Sequence, residues 1–301
     1  MKKMLFIVNT HAGRRRIVPA LAEVISMFNA GGYETTVYIT QKAGDVPGLV
    51  ESEAYKYDAI VCSGGDGTLN ETVRGIMHCE KRPTLGFIPA GTNNDAVGNL
   101  GLPKKIYDAA KVIVDGYSQP IDIGQFNDKY FDYIAAFGNF IEASFATPRE
   151  AKNAVGGLAY VMSVLKLLPT VKPFKVRAEY DDGQVFEDEV LIGMASNGKY
   201  MASISLGEQL DASLNDGLME LIFIKKVKDV MSLQSLLESY AVGEAAENEG
   251  IFWRRVKKVK IETEEAMSWT LDGEYGGTYK TVNVVNHMHA VNIFVPQKNN
   301  K

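Results

Sequence analysis

The sequence predicts two domains of different architecture, a parallel α/β domain over residues 1–121 and a mainly antiparallel β domain over residues 122–301. In the first part of the chain, short apolar runs alternate with segments in which apolar residues recur at helical spacing. This alternation is typical of a parallel sheet covered by helices. After Gly116, strand-like runs follow one another across turn residues, as in antiparallel sheets. The predicted fold class is therefore α/β + β.

In the first domain, each strand is predicted from an apolar run and each helix from apolar residues three and four positions apart. Gly31 and Gly32 end the first helix, because glycine is common just after a helix C-terminus. The predicted strands cover residues 4–9, 35–40, 59–62 and 84–88, and the predicted helices cover 21–28, 46–57, the segment after Thr68, and 106–115.

In the second domain, the turn residues Asp181-Asp182-Gly183 predict a hairpin between two strands. Strands are predicted at 119–137, 174–196, 218–224, 256–261 and 282–285, with helices over 157–168 and 229–242. The last predicted strand, 289–295, belongs either to this domain or to the first one, and the sequence leaves both possibilities open.

Composition limits the classes of function. The chain has 301 residues, of which 46% are hydrophobic and 23% charged, as expected of a globular protein with two domains. Its net charge of −5 argues against nucleic acid as a main partner and against a membrane surface bound by overall charge. Its two cysteines, Cys62 and Cys79, do not form a disulfide framework. No apolar segment reaches the roughly 20 residues of a spanning helix and none resembles a secretory signal, so we expect a cytoplasmic protein.

The stretch from Ser63 to Glu71 carries the first chemical signal. The predicted strand 59–62 meets Gly64-Gly65-Asp66-Gly67, and a helical pattern follows. Glycines let the backbone approach a ligand closely, and free N–H groups at a helix start favour an anion. Asp66 would repel a phosphate unless a magnesium ion lay between them. The stretch predicts a phosphate site with Mg²⁺, and a plain strand-to-helix turn is the alternative.

Residues 89–95, Pro-Ala-Gly-Thr-Asn-Asn-Asp, form a second loop of the same kind after the predicted strand 84–88. Neither loop is the Walker A pattern, which needs Gly-Lys-Ser/Thr. Ligands of parallel α/β sheets bind beyond the carboxyl ends of the strands. We therefore expect loops 9–13, 63–68 and 89–95 to lie at one edge of the sheet and to form a nucleotide cleft.

These two motifs together resemble those of the diacylglycerol kinase catalytic-domain family, which includes soluble bacterial diacylglycerol kinases and related sphingosine kinases. NAD kinases and phosphofructokinases share the first motif in a looser form, and the second motif narrows the resemblance to lipid kinases. The resemblance implies a nucleotide-binding first domain and transfer of the γ-phosphoryl group of ATP to a lipid hydroxyl, with diacylglycerol as the first choice of acceptor. It implies ATP and Mg²⁺ as cofactors and a lipid substrate that is met at a membrane surface.

The resemblance also implies which residues contact the nucleotide, in the three loops and just after the second strand. They are Asn9, Thr10, His11, Ala12, Gly13, Thr40, Gly65, Asp66, Gly67, Thr68, Leu69, Asn70, Glu71, Thr92 and Asp95. The family usually has proline where this chain has Thr10. Asp122 is a candidate third member, with Asp66 and Asp95, of an acidic network around magnesium. The alternative role of Asp122 is a turn at the domain boundary.

The segment Asp272-Gly273-Glu274 carries the second chemical signal. In an extended strand, residues two apart share a face, although the glycine between them leaves the geometry open. A carboxylate here would suit a base that takes the proton from an attacking hydroxyl, and an acidic hairpin tip is the alternative. The segment resembles the family motif that supplies the catalytic base. Carried over, Glu274 is the first choice of proton acceptor and Asp272 the second.

Residues 213–218, Ser-Leu-Asn-Asp-Gly-Leu, have ordinary turn chemistry. By resemblance to bacterial diacylglycerol kinases, Ser213, Asp216 and Leu218 are the positions that would hold a structural Mg²⁺. Asn215 stands where the family often has a second Asp, which lowers the charge of such a site.

Two other functions stay open on the sequence. One is a kinase of a soluble acceptor such as NAD, and the other is a nucleotide-binding relative without catalytic activity. The sequence also leaves open a homodimer.

Overall fold

The computed structural model describes residues 1–92, 94, 96–138, 172–181, 183–198, 200–201, 204–205, 213–227, 229–241 and 248–297. The chain divides into two compact units. Met1–Asp122 and His289–Lys301 form the first unit, and Ile123–Met288 form the second. The α/β + β fold class is confirmed. The division into residues 1–121 and 122–301 remains a prediction about domains.

The first unit is built on a parallel sheet. Its strands are β1 (Lys2–Val8), β2 (Tyr33–Ile39), β3 (Ala59–Gly64) and β4 (Thr84–Pro89). Its α-helices are α1 (Leu21–Ala30), α2 (Val46–Glu53), α3 (Asp66–Met77), α4 (Ala96–Leu100) and α5 (Ile106–Asp115). The strands lie in the order β4-β3-β1-β2, and each neighbouring pair is parallel. The helices pack in two pairs, α1 with α5 and α2 with α3.

Burial explains why these segments form their elements. All of β3 is buried, as expected of a central strand of a parallel sheet that is covered on both faces. Helix α5 buries Ala109, Ala110, Val112 and Ile113 on one side. It ends at Gly116, whose φ of 76° is the left-handed conformation that closes many helices. The helix predicted over 106–115 therefore has the observed bounds.

The second unit is a mainly antiparallel sheet with one described helix, α6 (Val230–Ala241). Its strands are β5 (Ser118–Phe126), β6 (Lys129–Phe131), β7 (Ile134–Gly138), β8 (Phe174–Tyr180), β9 (Gln184–Ser196), β10 (Tyr200–Met201), β11 (Ile204–Ser205), β12 (Met219–Lys225), β13 (Ile251–Val256), β14 (Lys258–Leu271) and β15 (Glu274–Phe294). The first residues of β5, up to Asp122, and the last of β15, from His289, belong to the first unit. The order β13-β12-β9-β7-β14-β15 runs through it, and β8 pairs with both β9 and β14. Its core contains Trp269, whose ring lies 4.6 Å from that of Phe137 and 4.8 Å from that of Phe126.

Several elements differ from the prediction. The strands predicted at 282–285 and 289–295 are one long strand, β15. Its last residues, from His289, belong to the first unit and pair there in parallel with β4 through Ile293 and Leu85. The short helix α4 and the strand β13 were not predicted. The helix predicted over 157–168 lies outside the described residues. Among the helices that the structure describes, none is long and apolar enough to cross a membrane.

Candidate active site

Three loops follow neighbouring strands of the parallel sheet. Residues 9–13 follow β1, residues 65–68 follow β3 and residues 90–94 follow β4. Because β1 pairs with β3 and β3 with β4, in parallel, their carboxyl ends lie at the same edge of the sheet. The first unit thus gathers the three predicted loops at the edge where α/β sheets bind ligands.

The loops contact each other directly through their backbones. The carbonyl of Gly64 accepts hydrogen bonds from the N–H groups of Ala90, at 2.8 Å, and Gly91, at 2.9 Å. A methyl group added to Gly91 would overlap the Cα of Gly65, and one added to Gly13 would overlap the carbonyl oxygen of Ala90. Only glycine allows these approaches, so the glycines of the motif are needed for the contact between the loops.

Asn94 fixes the second loop. Its backbone is left-handed, with φ of 56°, a conformation that Asn tolerates better than most residues. Its side-chain oxygen accepts the Gly91 N–H at 3.0 Å, and its amide donates to the Gly91 carbonyl at 3.0 Å. Sequence reasoning quoted Asn94 in the motif without giving it a role. The sequence did contain a signal for this role, because Asn in a Gly-rich loop between a strand and a helix is a typical turn residue.

Asn9 joins the first loop to helix α3. Its side-chain amide donates to the Thr68 hydroxyl at 3.1 Å, and its side-chain oxygen accepts the His11 N–H at 3.0 Å. Its own N–H donates to the carbonyl of Ser63 at 2.9 Å. One side chain therefore sets the distance between two loops that were predicted to contact the nucleotide.

Helix α3 begins at Asp66, three residues earlier than predicted, with Gly65 as its N-cap. Thr68 and Leu69 donate the first helical hydrogen bonds to the Gly65 carbonyl, so the N–H groups before them are outside the helical ladder. The carboxylate of Asp66 accepts the Ala96 N–H at 3.2 Å and so links the starts of α3 and α4. Such a helix start is a ready site for an anion.

A buried hydroxyl lies at the end of β3. Ser63 is 0% exposed, and its Oγ has no hydrogen-bond partner within the described part of the chain. A buried hydroxyl is normally paired, and unpaired ones are found where a ligand or water completes the site. Sequence reasoning gave Ser63 no role of its own.

Glu71 is held by the loop after β2. Its Oε1 accepts the Gly44 N–H at 2.8 Å. Thr40 begins that loop, is buried, and donates its N–H to the carbonyl of Val8 at the end of β1. The loop is closed by Asp45, which accepts the Gln41 N–H at 2.8 Å. Thr40 and Glu71 thus belong to the same edge of the sheet as the three glycine loops.

The remaining predicted contacts of the first unit differ in exposure. His11 and Thr92 are exposed, Thr10, Ala12 and Gly67 are half-buried, and Leu69 and Asn70 are buried. Asp95 lies outside the described residues. Asp122 is buried within β5, not in a turn, and its carboxylate accepts the His289 N–H at 2.8 Å.

In the second unit, Asp272 and Gly273 form the two-residue turn between β14 and β15. Their φ angles are 51° and 86°, and two-residue hairpin turns of type I′ require positive φ at both positions. The segment is therefore a turn and not the extended strand that would put the two carboxylates on one face. The side chains accordingly have different surroundings.

Asp272 is engaged by backbone donors. Its Oδ2 accepts the Asp132 N–H at 2.7 Å, and its Oδ1 accepts the N–H groups of Tyr133, at 3.0 Å, and Ile134, at 2.9 Å. Its side chain is buried. Glu274, the first residue of β15, is exposed. Asp272 thus anchors the turn to the strand β7, and Glu274 presents its carboxylate to solvent.

Residues 213–218 form a turn in which Ser213 Oγ donates to Asn215 Oδ1 at 2.8 Å and the Leu218 N–H donates to Asp216 Oδ1 at 2.9 Å. Asp216 Oδ2 also contacts the guanidinium of Arg255. Nearby, burial raises the pKa of Glu220 to about 8, although Arg255 acts in the opposite direction. That Ser213, Asp216 and Leu218 bind a metal remains a prediction.

Comparisons with known proteins match both parts of the chain to known families. Residues 3–126 match the family described as diacylglycerol kinase catalytic domain, and residues 143–294 match the family described as YegS C-terminal NAD kinase beta sandwich-like domain. A diacylglycerol kinase of Bacillus subtilis strain 168 is 36% identical over 297 residues, which cover 97% of this chain and 96% of that protein. One of Staphylococcus carnosus strain TM300 is 36% identical over 301 residues, covering 98% and 96%.

A solved structure is similar over its whole length. The crystal structure of a diacylglycerol kinase from Bacillus anthracis strain Sterne superposes with a TM-score of 0.81 at 28% identity, covering 98% of this chain and 97% of the other. The fold and the glycine loops thus define a lipid kinase. The chain belongs to the diacylglycerol kinase family.

Proposed function

We propose that this protein transfers the γ-phosphoryl group of ATP to the free hydroxyl of diacylglycerol, forming phosphatidic acid and ADP. Family membership supports the class of reaction. Relatives that match along nearly the whole chain are named diacylglycerol kinases, which supports this acceptor over other lipids. Since the acceptor is a membrane lipid, the enzyme would meet it at a membrane surface.

The observation that carries the proposal is the backbone contact between the loops of the first unit. Gly64, Gly65 and Gly91 leave no side chain between the loops, and they surround the start of α3. Phosphate oxygens need this kind of surface, in which N–H donors are close and no Cβ blocks the approach. The buried hydroxyl of Ser63 is a further donor without a described partner.

A divalent ion also fits here by the chemistry of the donors. The half-buried carboxylate of Asp66 lies at the first turn of α3, where it would otherwise repel a phosphate. Mg²⁺ prefers carboxylate, phosphate and water oxygens and, when bound, neutralises the charge of the phosphates. Asp66 is therefore the residue of the described chain that we assign to magnesium, and Asp95 is a proposed partner from the sequence.

The second unit supplies the base in this proposal. Glu274 takes the proton of the lipid hydroxyl as the hydroxyl oxygen forms its bond to the γ-phosphorus, and the bond to the bridging oxygen of ADP breaks. Asp272 is a positioning residue. Its carboxylate holds three backbone N–H groups and so fixes the turn that carries Glu274. Protonation of Asp272 would disrupt these hydrogen bonds, which favours Glu274 as the proton acceptor.

The test is a transfer assay with γ-labelled ATP and two acceptors, diacylglycerol in detergent micelles and NAD. We expect label in phosphatidic acid, dependence on Mg²⁺, and loss of at least about 10²-fold of the activity in Asp66→Ala. Asp115→Ala is the matched control, because Asp115 is an exposed carboxylate that pairs with Lys111 one helical turn away. Full activity of Asp66→Ala would refute the assignment of the loop.

The match of residues 143–294 to an NAD kinase-like sandwich favours NAD as the second candidate acceptor. Label in NADP and none in lipid would overturn the proposed acceptor while leaving the phosphate site intact. ATP binding with no transfer to either acceptor would overturn both.

A further inference from the structure

The second unit contains a further group of ionisable side chains. It consists of Asp216 in the 213–218 turn, Glu220 at the start of β12, and Arg255 near the end of β13, and we call these three residues the Arg255 cluster. Glu220 is 1% exposed, and the side chains of Asp216 and Arg255 are 26% and 27% exposed. A partly buried charge needs a partner of opposite charge, and Asp216 and Arg255 are such a pair.

The sheet itself places Arg255 between the side chains of Asp216 and Glu220. Glu220 and Arg255 are directly opposite each other in the antiparallel pair β12–β13. Arg255 Nε lies 3.9 Å from Glu220 Oε1, and its Nη2 contacts Asp216 Oδ2. The guanidinium is therefore held by strand register, and not by a flexible surface contact.

The side chains of the turn already make hydrogen bonds with one another, with the backbone and with Arg255. Asp216 uses one carboxylate oxygen for the Leu218 N–H and the other for Arg255. Ser213 directs its hydroxyl to Asn215, which is a neutral amide. A divalent ion at this turn would share its one carboxylate with a guanidinium, and the two cations would repel each other.

We propose that the guanidinium of Arg255 is the permanent cation of the 213–218 turn and takes the place of a structural divalent ion there. A side chain that is always protonated and has five N–H donors can neutralise Asp216 and face Glu220 at the same time. The second unit then keeps this turn without bound metal. Every divalent ion that the enzyme needs would arrive with the nucleotide at the first unit.

The test measures the melting temperature of the whole, nucleotide-free protein in EDTA and in increasing MgCl₂, with KCl added to match ionic strength. We expect the wild-type melting temperature to change by less than about 1 °C, since a ligand that does not bind the folded state does not stabilise it. We also expect elemental analysis after desalting to find less than about 0.1 magnesium or calcium ion per chain, because Arg255 occupies the 213–218 turn and the Asp66 site needs the nucleotide phosphates to hold an ion.

Arg255→Gln removes the fixed cation, so its melting temperature in EDTA should fall by roughly 5–15 °C. Mg²⁺ or Ca²⁺ should then raise the melting temperature of this variant in a saturable way, because the Asp216 carboxylate becomes available to a metal ion. Arg254→Gln is the matched control, because Arg254 is exposed and lies over the ring of Phe252. It should respond to metal as the wild type does.

A saturable rise of the wild-type melting temperature with Mg²⁺ that Asp216→Asn abolishes would overturn the proposal, as would one metal ion retained per wild-type chain and lost in Asp216→Asn. If Arg255→Gln does not fold, the wild-type titration alone decides. An Arg255→Gln protein as stable as the wild type in EDTA would also contradict it. None of these measurements depends on the phosphoryl acceptor or on catalysis. A result that overturns the Arg255 proposal is therefore distinguishable from one that overturns the proposed kinase reaction.

Discussion

The two carboxylates of the 272–274 turn should have separable roles, which a pair of isosteric substitutions can reveal. Glu274→Gln removes a proton acceptor from an exposed side chain, so we expect kcat to fall by about 10²–10⁴-fold. Its stability should stay within about 0.5 kcal/mol of the wild type, as for most surface substitutions. Asp272→Asn should mainly lower the free energy of unfolding, and its effect on kcat should be the smaller one.

The size of that loss follows from the three hydrogen bonds that Asp272 accepts. An asparagine oxygen directed at Tyr133 and Ile134 puts its amide group against the Asp132 N–H, so that donor loses its partner. An unsatisfied donor costs about 1–3 kcal/mol, and the other two bonds weaken because the acceptor is no longer charged. The total is about 2–4 kcal/mol, or a fall in melting temperature of roughly 5–15 °C.

The assay compares melting temperature and steady-state kinetics for the two variants, with Glu265→Gln as a control at an exposed glutamate of β14. Kinetics are recorded at a temperature at which Asp272→Asn is still folded. Wild-type kcat in Glu274→Gln would refute the assignment of the base. An Asp272→Asn protein with wild-type stability would refute the anchoring role.

Three further predictions concern other parts of the chain. Gly91→Ala should raise the KM for ATP at least about 10-fold, because its methyl group would meet the backbone of the neighbouring loop, whereas Gly48→Ala, which has open space, should not. Asn9→Ala should lower kcat/KM with a loss of about 1–2 kcal/mol of stability, measured by urea unfolding, and unchanged values would remove Asn9 from the site. Glu220 has a folded pKa raised to about 8 from 4.5, so its contribution to stability is present below pH 4.5 and is lost as pH rises through 8. Glu220→Gln should therefore lose less stability than the wild type between pH 6 and pH 9, and parallel pH curves would contradict this.

Much of the first unit could be predicted because its signals are local. Apolar runs of strand length and Gly116 after a periodic segment determine elements without knowledge of the rest of the chain. The carboxyl-edge rule for parallel sheets then placed loops 9–13, 63–68 and 89–95 together. The structure places the described residues of these loops at that edge.

The sequence could not reveal features that depend on contacts between distant residues. The length of β15 depends on its pairing with β14 and, at its far end, with β4. The different roles of Asp272 and Glu274 depend on the N–H groups of residues 132–134, about 140 positions away in the chain. No sequence pattern singles out Arg255, because only the β12–β13 register brings it opposite Glu220.

The most direct test of the account is a crystal structure of the protein with Mg²⁺ and a non-hydrolysable ATP analogue. We predict phosphate oxygens within about 3.2 Å of backbone N–H groups of residues 65–68, with the metal ion bound to Asp66 directly or through one water. A nucleotide whose phosphates lie away from these loops, with no metal ion at Asp66, would contradict the account.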